Sequence, residues 1–269
     1  MKEQLDMTSD NAVLREEIDR LAGQFFRDGD SKRAHFVDWL RDTLNRAWDT
    51  EFLLIHNPGG WGNTIFEECL EWEKSIITGV TGTMDEMRRN WVLVQYFRSG
   101  NSFWSHMRDV KKEALFFFKG ESLQAKVLAA ALKFISNHLS NLQIILIGAS
   151  QGAAFSNAVM REPGDFSRVY SIELGTFFPH MGRRVITERT LAVDSNGLMP
   201  DPMCNRNLWK GFKSYITAPY RWVKSRIEGN PLKFTYCINA PGHDYNWEYP
   251  EVQRRIIDFL KTNFGSNQQ

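Results

Sequence analysis

Gly148-Ala149-Ser150-Gln151-Gly152 follows the apolar run Ile144 to Ile147 and precedes the small-residue stretch Ala153 to Met160. A serine between glycines, where a strand gives way at once to a helix, is the pattern of a nucleophile elbow. The glycines provide space, because strand and helix nearly touch at so sharp a turn and a side chain at either position would clash. The serine hydroxyl is thereby pushed outward at the carboxyl end of a strand. The Gln151 N–H beside it, at the positive end of a helix, favours negative charge developing there.

Outward from this joint the chain alternates strand and helix, which argues for an α/β fold with a mostly parallel central sheet flanked by helices. Strands are expected from Phe52 to Ile55, Trp91 to Phe97, Ile144 to Ile147, Arg168 to Leu174, Arg189 to Val193 and Phe234 to Ile238. Helices are expected from Asn63 to Ile77, Ser122 to Leu139 and Asn205 to Ile227. Before residue 51 the pattern is purely helical. Leu14, Ile18, Leu21 and Phe25 form one apolar stripe and Phe36, Leu40, Leu44 and Trp48 another, separated by Gly29-Asp30-Ser31. The organisation expected is therefore a helical extension over residues 1–50 and a catalytic domain over 51–269. The two stripes suit packing on the sheet, contact with a second copy of the chain in a homo-oligomer, or a lid over the serine.

Composition excludes several classes of function. At 269 residues and 42% hydrophobic content the chain can bury a sizeable core. Its net charge of +1, with no Lys/Arg-rich tract, offers nothing for a nucleic-acid backbone to recognise. Three cysteines, Cys69, Cys204 and Cys237, are too few and irregular for a disulfide framework and have no zinc-finger spacing, so no metal and a reducing cytoplasm are expected. The start, Met1 to Asp6, has no signal-peptide core, and no run of eighteen apolar residues suggests a transmembrane segment.

A serine at an elbow needs a base, and His243 is placed to supply it. The strand-like run Phe234 to Ile238 leads into Asn239-Ala240-Pro241-Gly242-His243, well downstream of the serine and ahead of a carboxy-terminal helix. Ser, acid, His is the chain order expected of such a triad. An imidazole can accept the serine proton near neutral pH and return it to a leaving group.

These segments resemble the α/β-hydrolase superfamily. Ile55-His56-Asn57-Pro58-Gly59-Gly60-Trp61-Gly62 is similar to the family's His-Gly loop, Gly148 to Gly152 to its elbow, and Gly242-His243 with Glu248, Pro250, Glu251 and Phe259-Leu260 to its final loop and helix. The resemblance runs from about Phe52 to Phe264. It implies a sheet reduced from the family's eight strands, with the opening antiparallel pair replaced by the amino-terminal helices. The short link from Leu174 to Arg189 implies no large cap insertion. It also implies a second oxyanion donor shortly after the His-Gly pair. Pro58 has no N–H to give, so the donor moves to Gly59 or Gly60, beside Gln151. His56 reads as a brace for that loop.

The acid is left open. Asp194, at the end of the strand Arg189 to Val193, is favoured; Asp201, between two prolines, is the alternative, and Glu173 is the third. Asp194-Ser195-Asn196-Gly197 is also a turn signature, and Asp201 could equally cap a helix. Asp244 beside His243 points the wrong way. Trp61, Phe177 and Phe178 follow strand ends on the catalytic face and are candidates to line an acyl pocket. The expected activity is cleavage of a small-molecule carboxylic ester or thioester (esterase, lipase or thioesterase) through an acyl-enzyme, with no cofactor. The alternatives are an acyltransferase on the same site and a catalytically silent binding or scaffold protein of this fold.

Overall fold

The apolar run before Ser150 is the central strand of a five-stranded sheet in the computed structural model, which describes residues 7–60, 62–98, 116, 120–204, 208–229 and 240–265. The strands are β1 (Phe52–Asn57), β2 (Trp91–Gln95), β3 (Gln143–Ala149), β4 (Val169–Leu174) and β5 (Thr190–Val193). They lie in the order β2-β1-β3-β4-β5, and all four pairings are parallel. β1 is buried along its whole length and β3 along all but its first residue. That is why both read as unbroken apolar runs: helices cover both faces of a parallel sheet.

The helices are α1 (Met7–Gly23), α2 (Ser31–Ala47), α3 (Glu71–Glu86), α4 (Leu123–His138), α5 (Gln151–Met160), α6 (Phe178–Met181), α7 (Leu208–Ile227) and α8 (Pro250–Phe264). Successive strand residues serve opposite faces. Leu53, Ile55, Ile144 and Leu146 pack with α1, α2, α4 and α5. Phe52, Leu54, Ile145 and Ile147 pack with α3 and α8. The architecture is α/β and consistent with an α/β-hydrolase-like fold. Only the four-residue helix α6 stands between β4 and β5 before the chain returns to the sheet. No described helix is long and apolar enough to cross a membrane.

The amino-terminal helices are built into the sheet. Ile18, Ala22, Phe36, Leu40, Leu44 and Ala47 are all buried in the first core. α2 also closes the open edge of β2: Trp39 Nε1 donates to Gln95 O at 2.9 Å and Arg46 Nη2 to Leu93 O at 2.7 Å. An uncovered edge would offer those carbonyls to another chain. The boundary drawn at residue 50 thus separates two parts that share one core.

Two helix boundaries differ from the sequence reading. The helix expected from Asn63 to Ile77 is a short 3₁₀ turn (Phe66–Glu68) followed by α3, which continues to Glu86. The loop before it is held instead by side chains, Phe66 N–H donating to Gln95 Oε1 at 2.9 Å. α7 matches the expected Asn205 to Ile227 from Leu208 onward. The strand expected from Phe234 to Ile238 lies outside the described residues.

Candidate active site

Ser150 heads α5 with φ +54° and ψ −113°. Among the described non-glycine residues only Ser150 and Arg88 have positive φ. Such a conformation is costly for a residue with a Cβ and survives where its surroundings impose it. Here they do. A Cβ on Gly148 would stand 2.4 Å from Gly152 O, and one on Gly152 would stand 2.1 Å from Asn57 O and 2.9 Å from Pro58 O. The second glycine therefore serves more than the turn, since it lets the loop after β1 cross directly over the start of α5.

That loop is held from both sides. Gly59 N–H donates to Glu73 Oε1 at 3.0 Å, and Arg98 Nη2 donates to Pro58 O at 3.0 Å. The peptide between Pro58 and Gly59 is thus engaged at both its polar atoms, which corrects the expectation of Gly59 as an oxyanion donor. Gly59 O accepts from Gly62 N at 3.1 Å, and Gly60 O accepts from Arg98 Nη2 at 2.8 Å. Gly60 carries the other N–H expected of the loop, and Gln151 stands at the first position of α5. Arg98 is buried in the loop's curve, where a Cβ on Gly62 would meet its Nε at 2.2 Å. Trp61 lies outside the described residues.

His56, at 1% exposure, braces this loop rather than facing a substrate. Its Nδ1 accepts from Gln95 Nε2 at 3.0 Å and its Nε2 donates to Glu73 Oε1 at 2.9 Å. His56, Cys69 and Glu73 present ligand atoms within 4.8 Å of one another, the grouping among the described residues with the donor set to hold a metal ion. Their atoms are engaged in the loop's own bonds, with Cys69 Sγ 3.5 Å from Ile65 O.

The acid beside His243 is Asp201. Its Oδ2 lies 2.7 Å from His243 Nδ1 and accepts from the Tyr245 hydroxyl at 2.5 Å, while Oδ1 accepts from Met203 N at 2.7 Å. The carboxylate is fully buried. Burial alone would raise its pKa, but the hydrogen bond and charge of His243, then the Tyr245 hydroxyl and the Met203 amide, outweigh it and hold it below the ordinary value. Asp194, favoured from the sequence, is a correction: both its oxygens take Arg184 Nη1, at 2.7 and 2.8 Å. Glu173 is engaged by the same arginine, whose Nε lies 2.7 Å away, and by Asn157 and Ser171. Asp244 turns away, to Asn196 and Tyr249.

The imidazole lies against a glycine at the end of β4, the strand that pairs with the one leading to Ser150. Ala149 and Leu174 are register partners, and Ser150 N–H donates to Leu174 O at 2.7 Å. A Cβ on the next residue, Gly175 (φ +61°), would lie 2.9 Å from His243 Cε1 and 2.6 Å from Tyr245 Cε2. Only glycine lets the ring settle there, one strand over from Ser150. Trp72 of α3 closes the other side, its ring edge-on to His243 at 6.4 Å and tilted against Tyr245 at 5.9 Å. Phe177 is buried and Phe178 half-buried in a small cluster with Met203 and Ala240, which flank Asp201 and His243 in sequence. Tyr245, Trp72, Glu73 and Arg98 carried no signal in the sequence reading; their roles depend on contacts between distant segments.

Fold and site together define an α/β protein with an elbow serine, a half-buried histidine paired with a buried aspartate, and a braced glycine loop at the carboxyl ends of neighbouring parallel strands. No protein-family model matches the chain, and no curated protein matches it.

Proposed function

We propose that this protein is a serine hydrolase that cleaves a carboxylic ester or thioester through an acyl-enzyme. The observation that carries the reading is the 2.7 Å contact between His243 Nδ1 and the buried Asp201 carboxylate. A carboxylate kept ionised there accepts a hydrogen bond from Nδ1–H and so leaves Nε2 as the basic nitrogen, the tautomer that can accept a proton from a serine.

In this reading the steps run as follows. Ser150 Oγ bonds to the substrate carbonyl carbon as its proton passes to His243 Nε2, and the carbonyl π electrons move to the oxygen. Gln151 N–H and Gly60 N–H hold that oxyanion. Collapse breaks the bond to the alcohol or thiol, which takes the proton from His243. Water then repeats the sequence on the acyl-enzyme, releasing a carboxylic acid and restoring Ser150. Asp201 stabilises the imidazolium in both halves.

Turnover of p-nitrophenyl butyrate tests the reading. The expected result is steady release of p-nitrophenol, lost in Ser150→Ala and in His243→Ala. Equal rates in wild type and Ser150→Ala, or no release by folded wild type across short and medium acyl chains, would overturn it in favour of a silent binding protein. A rate that rises with added alcohol while ester product accumulates would identify an acyltransferase.

A further inference from the structure

A cavity of about 470 Å³ lies where α2 meets the end of β2, and of its described lining residues only Arg98 belongs to the site described above. Its size falls in the range of small-molecule sites. In the strand order, β1 separates β2 from β3, so this cavity is displaced from the Ser150 elbow by two strand spacings, about 10 Å. Its walls are aromatic and fixed. Trp39 is pinned by its bond to Gln95 O and meets Tyr96 edge-on at 5.0 Å, and Tyr96 stacks on Phe155 at 5.8 Å. Phe97, 43% exposed, stands at the mouth.

The charged side chains described in its lining, Lys32 and Arg98, are both cationic. Lys32, His35 and Arg98 line it, and none of its described lining residues is acidic. Lys32 is half-buried, His35 exposed at the rim and Arg98 buried at the floor. An aromatic slot with cations and, among its described lining residues, no carboxylate suits an apolar body bearing a negative charge, because rings bury the body while ammonium and guanidinium groups pair with an anionic head.

We propose that this cavity is a binding site, separate from the serine site, for small apolar or aromatic carboxylates. Arg98 links it to the loop after β1, since the same guanidinium holds Pro58 O and Gly60 O. A carboxylate that draws on Arg98 therefore loosens the carbonyl of the residue whose N–H is assigned to the oxyanion. This coupling rests on the hydrolase reading, whereas the binding does not.

The test is calorimetric titration of the full-length chain with 4-phenylbutyrate and with its neutral isostere, 4-phenylbutanamide. The carboxylate should bind about tenfold more tightly than the amide, the usual worth of a charge-assisted hydrogen bond. Lys32→Gln should remove most of that difference, and Phe97→Asp should weaken both ligands. Equal affinity for acid and amide, no binding of either, or a carboxylate preference untouched in both variants would overturn the proposal. 4-Phenylbutyrate should also inhibit p-nitrophenyl acetate turnover non-competitively. Purely competitive inhibition would make the cavity the acyl end of the ester site and sink the separate site. Titration needs no turnover, so carboxylate binding without hydrolysis would overturn the hydrolase reading alone, and hydrolysis without carboxylate binding this proposal alone.

Discussion

Asp201 satisfies four groups with two oxygens: the His243 ring, the Tyr245 hydroxyl, the Met203 amide and, at 3.2 Å, the Cys204 thiol. So many donors around one buried carboxylate fix its rotamer and keep it charged, as an orienting acid requires. Asp201→Asn should lower ester turnover by about ten-thousandfold, because an amide cannot hold the required imidazole tautomer or stabilise the imidazolium. Asp194→Asn should leave turnover near wild type and cost about 1 kcal/mol in denaturant unfolding, since Arg184 keeps Glu173 as a partner. The reverse outcome would return the role to Asp194. A pH series of unfolding follows from the same carboxylate. Its folded pKa lies below the ordinary 3.8, so its contribution to stability is complete above that value and is lost as pH falls through the lower folded value. Asp201→Asn should lack that acid-side loss. Ser150 and His243 were legible because their signals are a five-residue string and an order along the chain. Asp201 stood only as the alternative acid, because its place beside the histidine depends on a loop past β5 that an antiparallel bridge between Ser195 and Pro200 closes. Choosing Gly60 over Gly59 likewise needed Glu73, which no local pattern ties to the loop.

At the scale of elements, the strand from Gln143, the elbow and α5 behave as one unit with the loop after β1. Gly152→Ala sets a methyl against Asn57 O and should either displace that loop or strain α5, at about 1–3 kcal/mol. Its readout is a fall in turnover larger than the fall in thermal stability would explain. α2 should prove indispensable to solubility. Leu40 is fully buried in the first core, and Leu40→Ala should cost about 2–5 kcal/mol in unfolding experiments. Removal of residues 1–50 should give an aggregating chain, because it exposes that core and the β2 edge together. A soluble truncation with altered chain-length preference would instead make these helices a lid. The five described strands were readable from short apolar runs, and β1 and β3, buried on both faces, leave no other pattern. The start of α3 was not, because side-chain bonds from Gln95 hold residues that have no helix-breaking composition.

Across the whole molecule, strand order explains why the site is where it is. The order β2-β1-β3-β4-β5 reverses direction between β1 and β3, and a crevice opens at the carboxyl ends of strands where such a reversal occurs. The β1 loop and Ser150 follow the two strands on either side of that reversal, and Gly175 after β4 and the loop beyond β5 position His243 and Asp201. The central claim is that this arrangement activates one particular serine. An ordinary surface serine does not react with a fluorophosphonate, whereas one with its base in place does. The direct measurement is to label the folded protein with such a probe, digest it and locate the adduct by mass spectrometry. The account predicts a single adduct on the peptide carrying Ser150, absent after Ser150→Ala and strongly slowed in Asp201→Asn. An adduct elsewhere, or folded protein that stays unlabelled while a control hydrolase reacts, would contradict it.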